Sequence, residues 1–149
     1  MVFLASAILV SQLSAVDPDL VGLLLALRNY GVKVHFAPPP AGGVYGLYRP
    51  STRELWVAPV TQDLGIFRQV LLHEAVHAAQ SCPHGVPSPL GFKTKLSPHV
   101  EPAIRWQLRS GYTAGSTGIE QEAFALQARD DAVPLLIQSL KRRCRPVNR

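Results

Sequence analysis

A chain of 149 residues with 47 % hydrophobic and 17 % charged residues carries enough apolar material for one folded domain, which excludes a disordered or low-complexity polypeptide. The net charge of +5 is local: Lys141, Arg142, Arg143, Arg145 and Arg149 lie in the last nine residues, and the rest of the chain balances ten basic against ten acidic residues. No apolar run reaches the ~18 residues that would span a bilayer.

Residues 2–10 are apolar, and Leu13-Ser14-Ala15 ends in small residues. A secretory signal cleaved after Ala15 and a first helix packed on the domain share this pattern. No Lys or Arg precedes Arg28, so the positive segment of a signal is missing and a cytoplasmic location is favoured over a secreted one. Asp17-Pro18 starts a helix, with Asp as N-cap and Pro at the first helical position; it runs through Leu20 to Tyr30 and stops at Gly31. Residues 31–36 alternate and predict a strand, which Pro38-Pro39-Pro40 and Gly42-Gly43 break. Val44–Tyr48 and Glu54–Ala58 are two short β-rich runs joined through the turn-rich Arg49–Arg53, which predicts a hairpin.

Thr61 or Asp63 is expected to cap the next helix, which continues to about Ser81 and carries the most informative motif in the chain, His73-Glu74-Ala75-Val76-His77. Two imidazoles four residues apart lie about 40° apart around a helix and roughly 6 Å apart along it, so both can reach one zinc ion from the same face. Glu74 stands at the edge of that face, placed to take a proton from a metal-bound water. With five His and five Glu in the chain, His-Glu-x-x-His arises by chance in about 0.6 % of such sequences, so the motif is moderately specific by itself. Its flanks, from Val70 to Ala79, are otherwise uncharged, and burying His, Glu and His together without a metal would carry a large desolvation cost.

Residues 83–98 hold four prolines and two glycines and are expected to form a mobile loop. His99–Leu108 looks helical and ends at Gly111; Thr117–Asp130 is a further helix; Pro134 opens the last one, which ends near Cys144. Cys82 and Cys144 would pair in an exported protein, tying the last helix to the end of the motif helix, and would be free thiols in the cytosol. The basic tail at 141–149 lacks interleaved aromatic residues, so nucleic acid is disfavoured; its cations complement the last helix's dipole and then fray into solvent.

A catalytic zinc needs three protein ligands and an open position. The best third ligand is Glu120 in Ile119-Glu120-Gln121-Glu122-Ala123, with Glu122 as competitor. Two residues apart on a helix is about 200°, so only one of the two can face the metal. Glu120 has a rival role, because Thr117-x-x-Glu120 is a capping-box pattern. His84 and His99 are lesser ligand candidates, and His35 in its strand reads as structural. Tyr112, His99 and His84 are candidate donors to a developing oxyanion, and the hairpin edge is a candidate surface for an extended peptide.

The combination of Gly46-Leu47-Tyr48, a turn, a second strand, the His73–His77 helix and the later Glu120-Gln121-Glu122-Ala123 resembles the small zinc metallopeptidases of the gluzincin type, in particular the ImmA/IrrE-like minimal metallopeptidases. The resemblance spans residues 44–130. It implies that His73 and His77 bind zinc, that Glu74 is the general base and that Glu120 is the third ligand. The chain departs from the pattern at Phe124, where the family has Asn and larger gluzincins an Asp, so a carboxylate orienting a ligand histidine must come from elsewhere or be absent. The expectations are therefore an α+β fold, residues 1–149 as one zincin-like domain with helices around a small antiparallel sheet, and a zinc-dependent peptidase acting on a peptide or protein. The alternative is a non-catalytic metal-binding module for regulation or protein interaction. No feature fixes the substrate or the oligomeric state.

Overall fold

The computed structural model describes residues 17–92, 98, 99, 102 and 117–147. Helix α1 (Pro18–Asn29) begins at Pro18 and ends at Tyr30, and Gly31 follows in the left-handed region (φ 81°) that an L side chain rarely adopts. Asp17 sits at the N-cap position but makes no side-chain cap. Its carboxylate instead faces Arg68, 3.6 Å away, and the same guanidinium grips Asp19 at 2.8 and 3.0 Å, tying the start of α1 to the start of the motif helix. Leu20, Leu23, Ala26 and Leu27 recur at helical spacing and are the buried face of α1.

Strands β1 (Lys33–His35), β2 (Gly46–Arg49) and β3 (Glu54–Val57) form a sheet in the order β1-β3-β2. The predicted hairpin is β2–β3, antiparallel, with Leu47 opposite Trp56 and Arg49 opposite Glu54. The sheet as a whole is mixed and not antiparallel as expected, because β1 pairs parallel to β3, with His35 opposite Trp56. The ten residues between β1 and β2 carry the chain over the end of β3, so the hairpin's second strand, not its first, lies beside β1. The first strand is also shorter than residues 31–36, since Gly31 and Val32 are used to leave the helix: Val32 N–H donates to Leu27 O at 2.9 Å.

Neither Thr61 nor Asp63 caps the motif helix. They belong to a separate short helix, α2 (Val60–Asp63), where Thr61 Oγ1 donates back to Ala58 O at 2.6 Å. Gly65 (φ 67°) then turns the chain, and helix α3 (Phe67–Gln80) starts after Ile66. Helix α4 (Thr117–Gln127) and helix α5 (Ala132–Arg143) follow, so the described residues form five helices and a small three-stranded sheet, an α+β fold. Helix α4 stops at Gln127, short of Asp130, and α5 begins at Ala132, with Pro134 inside its first turn.

Helix α3 is the centre of the packing. It touches α4, α5, β2 and β3, and it buries Leu71, Leu72, Ala75, Val76, Ala78 and Ala79 against Leu55, Val57, Leu126, Leu136 and Leu140. Alanines at 75, 78 and 79 let neighbouring backbones come close, which brings α4 alongside α3. Cys82 and Cys144 form a disulfide that joins the end of α3 to the end of α5. The loop expected to be mobile is held over residues 83–92, and the tail expected to fray is held to 147. Arg143 donates to the carbonyls of Ser88 (3.1 Å) and Pro89 (2.8 Å), and Val147 N–H donates to Asn29 O at 3.0 Å. No helix among the described residues is long and apolar enough to cross a membrane.

Candidate metal centre

On α3, residues 73, 77 and 80 share one face, spaced i, i+4 and i+7; on α4, residues 120, 124 and 127 do the same. The two faces meet. His73 Nε2 lies 3.2 Å from Glu120 Oε2, His77 Nε2 lies 3.3 Å from Glu120 Oε1, and the two ring nitrogens are 3.1 Å apart. A tetrahedral zinc with bonds of about 2.0–2.1 Å has ligand–ligand edges of about 3.3–3.4 Å, so the donors already stand close to the separation such an ion requires. Among the described residues this is the one group of His, Cys, Asp or Glu that could hold a metal ion. The donor set of two imidazoles and one carboxylate suits zinc or another borderline divalent ion.

Glu120, not Glu122, is thus the acidic residue brought to the histidines. Glu122 points away, into a nest formed by the backbone N–H groups of Leu90 (2.6 Å), Gly91 (3.0 Å) and Phe92 (3.2 Å), and it also accepts from Gln80 Nε2 at 3.0 Å. It is buried and fully occupied with these donors. His84 and His99 lie outside the donor group; His84 stands beyond the end of α3 beside Pro83, Arg142 and Arg143. His35 is structural as expected: it stacks on Trp56 with ring centroids 5.2 Å apart, and its Nε2 pairs with Glu54 at 3.2 Å. Tyr112 and nearly all of the helix expected over 99–108 lie outside the described residues.

Two residues that orient the donor histidines were not singled out from the sequence, Gln127 and Gln80. His73 Nδ1–H donates to Gln127 Oε1 at 2.8 Å, and His77 Nδ1–H donates to Gln80 Oε1 at 2.9 Å. Each amide oxygen holds the proton on Nδ1 and leaves Nε2 to face the metal position, the task that carboxylates perform in many zinc sites. Phe124, which stands where a carboxylate was sought, packs edge-on against His73 with ring centroids 4.6 Å apart and walls the ring from water. The signal for both glutamines was present in the sequence: on the helix faces that carry the donors, Gln80 lies one turn after His77 and Gln127 two turns after Glu120.

Glu74 lies about 100° around α3 from His73, on the side facing β2. There the strand passes so close that a Cβ built on Gly46 would sit 2.8 Å from both Glu74 Cγ and Oε1, and 2.6 Å from Val70 Cγ1. The Tyr48 backbone lies near enough to the Glu74 carboxylate to favour its ionised form. Burial pushes the Glu74 carboxyl above the usual range, against the lowering influence of His73 and His77. At Glu120 burial works in the same direction, but hydrogen bonds from His73 and His77, together with their charge, outweigh it and bring the carboxyl down to about 2. Burial would lower His77, but its hydrogen bond to Glu120 and the negative charges of Glu120 and Glu74 raise it overall. Protonated His77 and the Glu120 carboxylate, 3.3 Å apart, form an ion pair.

No family model, curated protein or solved structure matches this chain.

Proposed function

We propose that the protein is a zinc-dependent peptidase. The observation that carries this reading is the convergence of His73 Nε2, His77 Nε2 and the Glu120 carboxylate at 3.1–3.3 Å, with a second, separately held carboxylate, Glu74, on the same helical turn as the two histidines. His73, His77 and Glu120 would hold the ion. Gln127 and Gln80 keep the two rings in the tautomer that presents Nε2. Zinc held there would acidify water and polarise a substrate carbonyl.

The remaining work falls to Glu74. It is not one of the three donors, it is buried, and its side chain is held against Gly46 of β2. A carboxylate so placed accepts a proton from the attacking water at one of its oxygens and returns it to the departing amine nitrogen. A site that only binds metal has no use for a carboxylate buried beside the ligands without joining them. That favours hydrolysis over a purely regulatory metal module. The substrate class in this reading is a peptide or protein.

The test is Glu74→Gln in the zinc-loaded protein, assayed on denatured protein and on peptide libraries. The peptidase reading expects hydrolysis to fall at least about a hundredfold while one zinc per chain is retained. Hydrolysis that persists in the variant would end the role assigned to Glu74. Zinc binding with no hydrolysis of any substrate by the wild type would favour the regulatory module instead.

A further inference from the structure

Among the described residues Glu122 is the one buried carboxylate that the chemistry above leaves unused, and its four hydrogen bonds join elements remote in sequence. One backbone oxygen and the carboxylate settle how the Gln80 amide must lie. Gln80 Nε2 is 3.0 Å from Ile119 O and 3.0 Å from Glu122 Oε1, and both of these atoms can only accept. The NH2 end of Gln80 must therefore point at them, so its carbonyl end must point at His77. Facing an obligate acceptor, His77 must carry its proton on Nδ1, and the lone pair of the neutral ring falls on Nε2. Glu122 is itself held in place by three consecutive N–H groups of residues 90–92, which Gly91, in the left-handed region (φ 93°), allows to converge.

We propose that Glu122 is a positioning residue of the metal centre. It acts through Gln80 to fix the tautomer of His77, and it couples the seating of the 90–92 loop to the grip on the metal. The inference rests on the reading of His73, His77 and Glu120 as ligands for its metal-affinity part, and on the hydrogen-bond chain alone for the rest. Were Glu122 merely a clasp for the loop, its removal would free the loop and leave His77 undisturbed. Were it coupled, the loop amides, the His77 ring proton and the metal affinity would change together. Anything that lifts residues 90–92 from α4 would then also loosen the metal.

The decisive experiment compares wild type, Glu122→Gln, Gln80→Met and the double variant, each checked for a cooperative melt. Two readouts are taken without metal: exchange of the His77 Nδ1–H proton and of the backbone amides of 90–92, by NMR. The third is zinc affinity by chelator competition. Glu122→Gln is expected to speed exchange of the ring proton and of the loop amides at least about tenfold, and to weaken zinc about 10- to 100-fold. Gln80→Met should weaken zinc by a similar factor while the loop amides stay protected. It also keeps the proposal testable if Glu122→Gln does not fold, since a Gln80→Met protein with a slowly exchanging Nδ1–H and wild-type zinc affinity would overturn it. The double variant should bind zinc no more weakly than Gln80→Met alone, because one chain of contacts has been cut twice. Factors that multiply, or a Glu122→Gln protein that loses loop protection but keeps its ring proton and zinc affinity, would refute the coupling. A wild type that binds no zinc would defeat the metal reading without touching the two metal-free readouts.

Discussion

Replacing Gly46 by alanine tests how β2 is set against α3. Glycine is not needed there for a left-handed turn; it is needed because the strand lies against Glu74 and Val70. The added Cβ would stand 2.6 Å from Val70 Cγ1 and 2.8 Å from Glu74 Cγ and Oε1. Ordinary carbon contacts begin near 3.5 Å, so the strand and helix must separate by about 1 Å or the two side chains must leave their rotamers. Overpacking of this kind costs about 1–3 kcal/mol. The proposed ligands His73, His77 and Glu120 lie on α3 and α4 and not on β2, so metal binding should survive. Chemical denaturation of the metal-free protein should show a loss of about 1–3 kcal/mol, and zinc titration should still give one ion per chain. In the peptidase reading the displacement of Glu74 by about 1 Å should also cost about a hundredfold in turnover. An alanine variant as stable as wild type would refute the close approach of strand and helix; one that lost its zinc would refute the separation of Glu74 from the ligand set.

Gln127→Leu should keep the volume beside His73 and remove its acceptor, weakening zinc about 10- to 100-fold in a chelator competition without unfolding the chain. The pH dependence of the metal-free protein has a definite sign. Glu120 is depressed from 4.5 to about 2, so its contribution, on the order of 2 kcal/mol after solvent screening, is present above the unfolded value and lost as pH falls from about 4.5 toward 2. His77 is raised above 6.5, so its share is present below that value and lost as pH climbs through the folded one. The stability difference between wild type and Glu120→Gln, followed by denaturation from pH 2 to 9, should therefore peak between these limits; a flat difference would contradict the ion pair. Cys82 and Cys144 lie 62 residues apart, and loop-closure entropy assigns their bond about 4 kcal/mol. The double serine variant should lose about 2–4 kcal/mol in denaturation under oxidising conditions, and a loss under 1 kcal/mol would show that Arg143 and the core alone secure the two helix ends.

How much of this could be read from the sequence depends on the range of the interaction concerned. The α1 stop at Gly31, the hairpin and the face shared by His73 and His77 follow from local spacing, and each stands where the residues placed it. The parallel seat of β1 did not follow, because it depends on which strand of the hairpin meets it across a ten-residue connection. At Glu120 and Glu122 the helical period required that only one face the histidines, but the choice between them depended on how α4 is rotated against α3. Phe124 offers no carboxylate to orient the histidines; amide oxygens of Gln127 and Gln80 stand beside His73 and His77 instead, and which side chain reaches them depends on how the two helices pack. The hold on residues 83–92 was invisible for a different reason: proline and glycine signal an irregular backbone, not an unanchored one, and the anchors, Arg143 and Glu122, are distant in sequence.

The most direct test of the metal centre is the zinc content of the purified chain after exhaustive dialysis, measured for wild type, His77→Ala, Glu120→Ala and Glu122→Ala. The geometry predicts one zinc per wild-type chain, none in His77→Ala or Glu120→Ala, and in Glu122→Ala an ion still bound but released to a weaker chelator. A wild-type ratio near zero, or an undiminished ratio in Glu120→Ala, would contradict a site built from two histidines of α3 and this glutamate of α4.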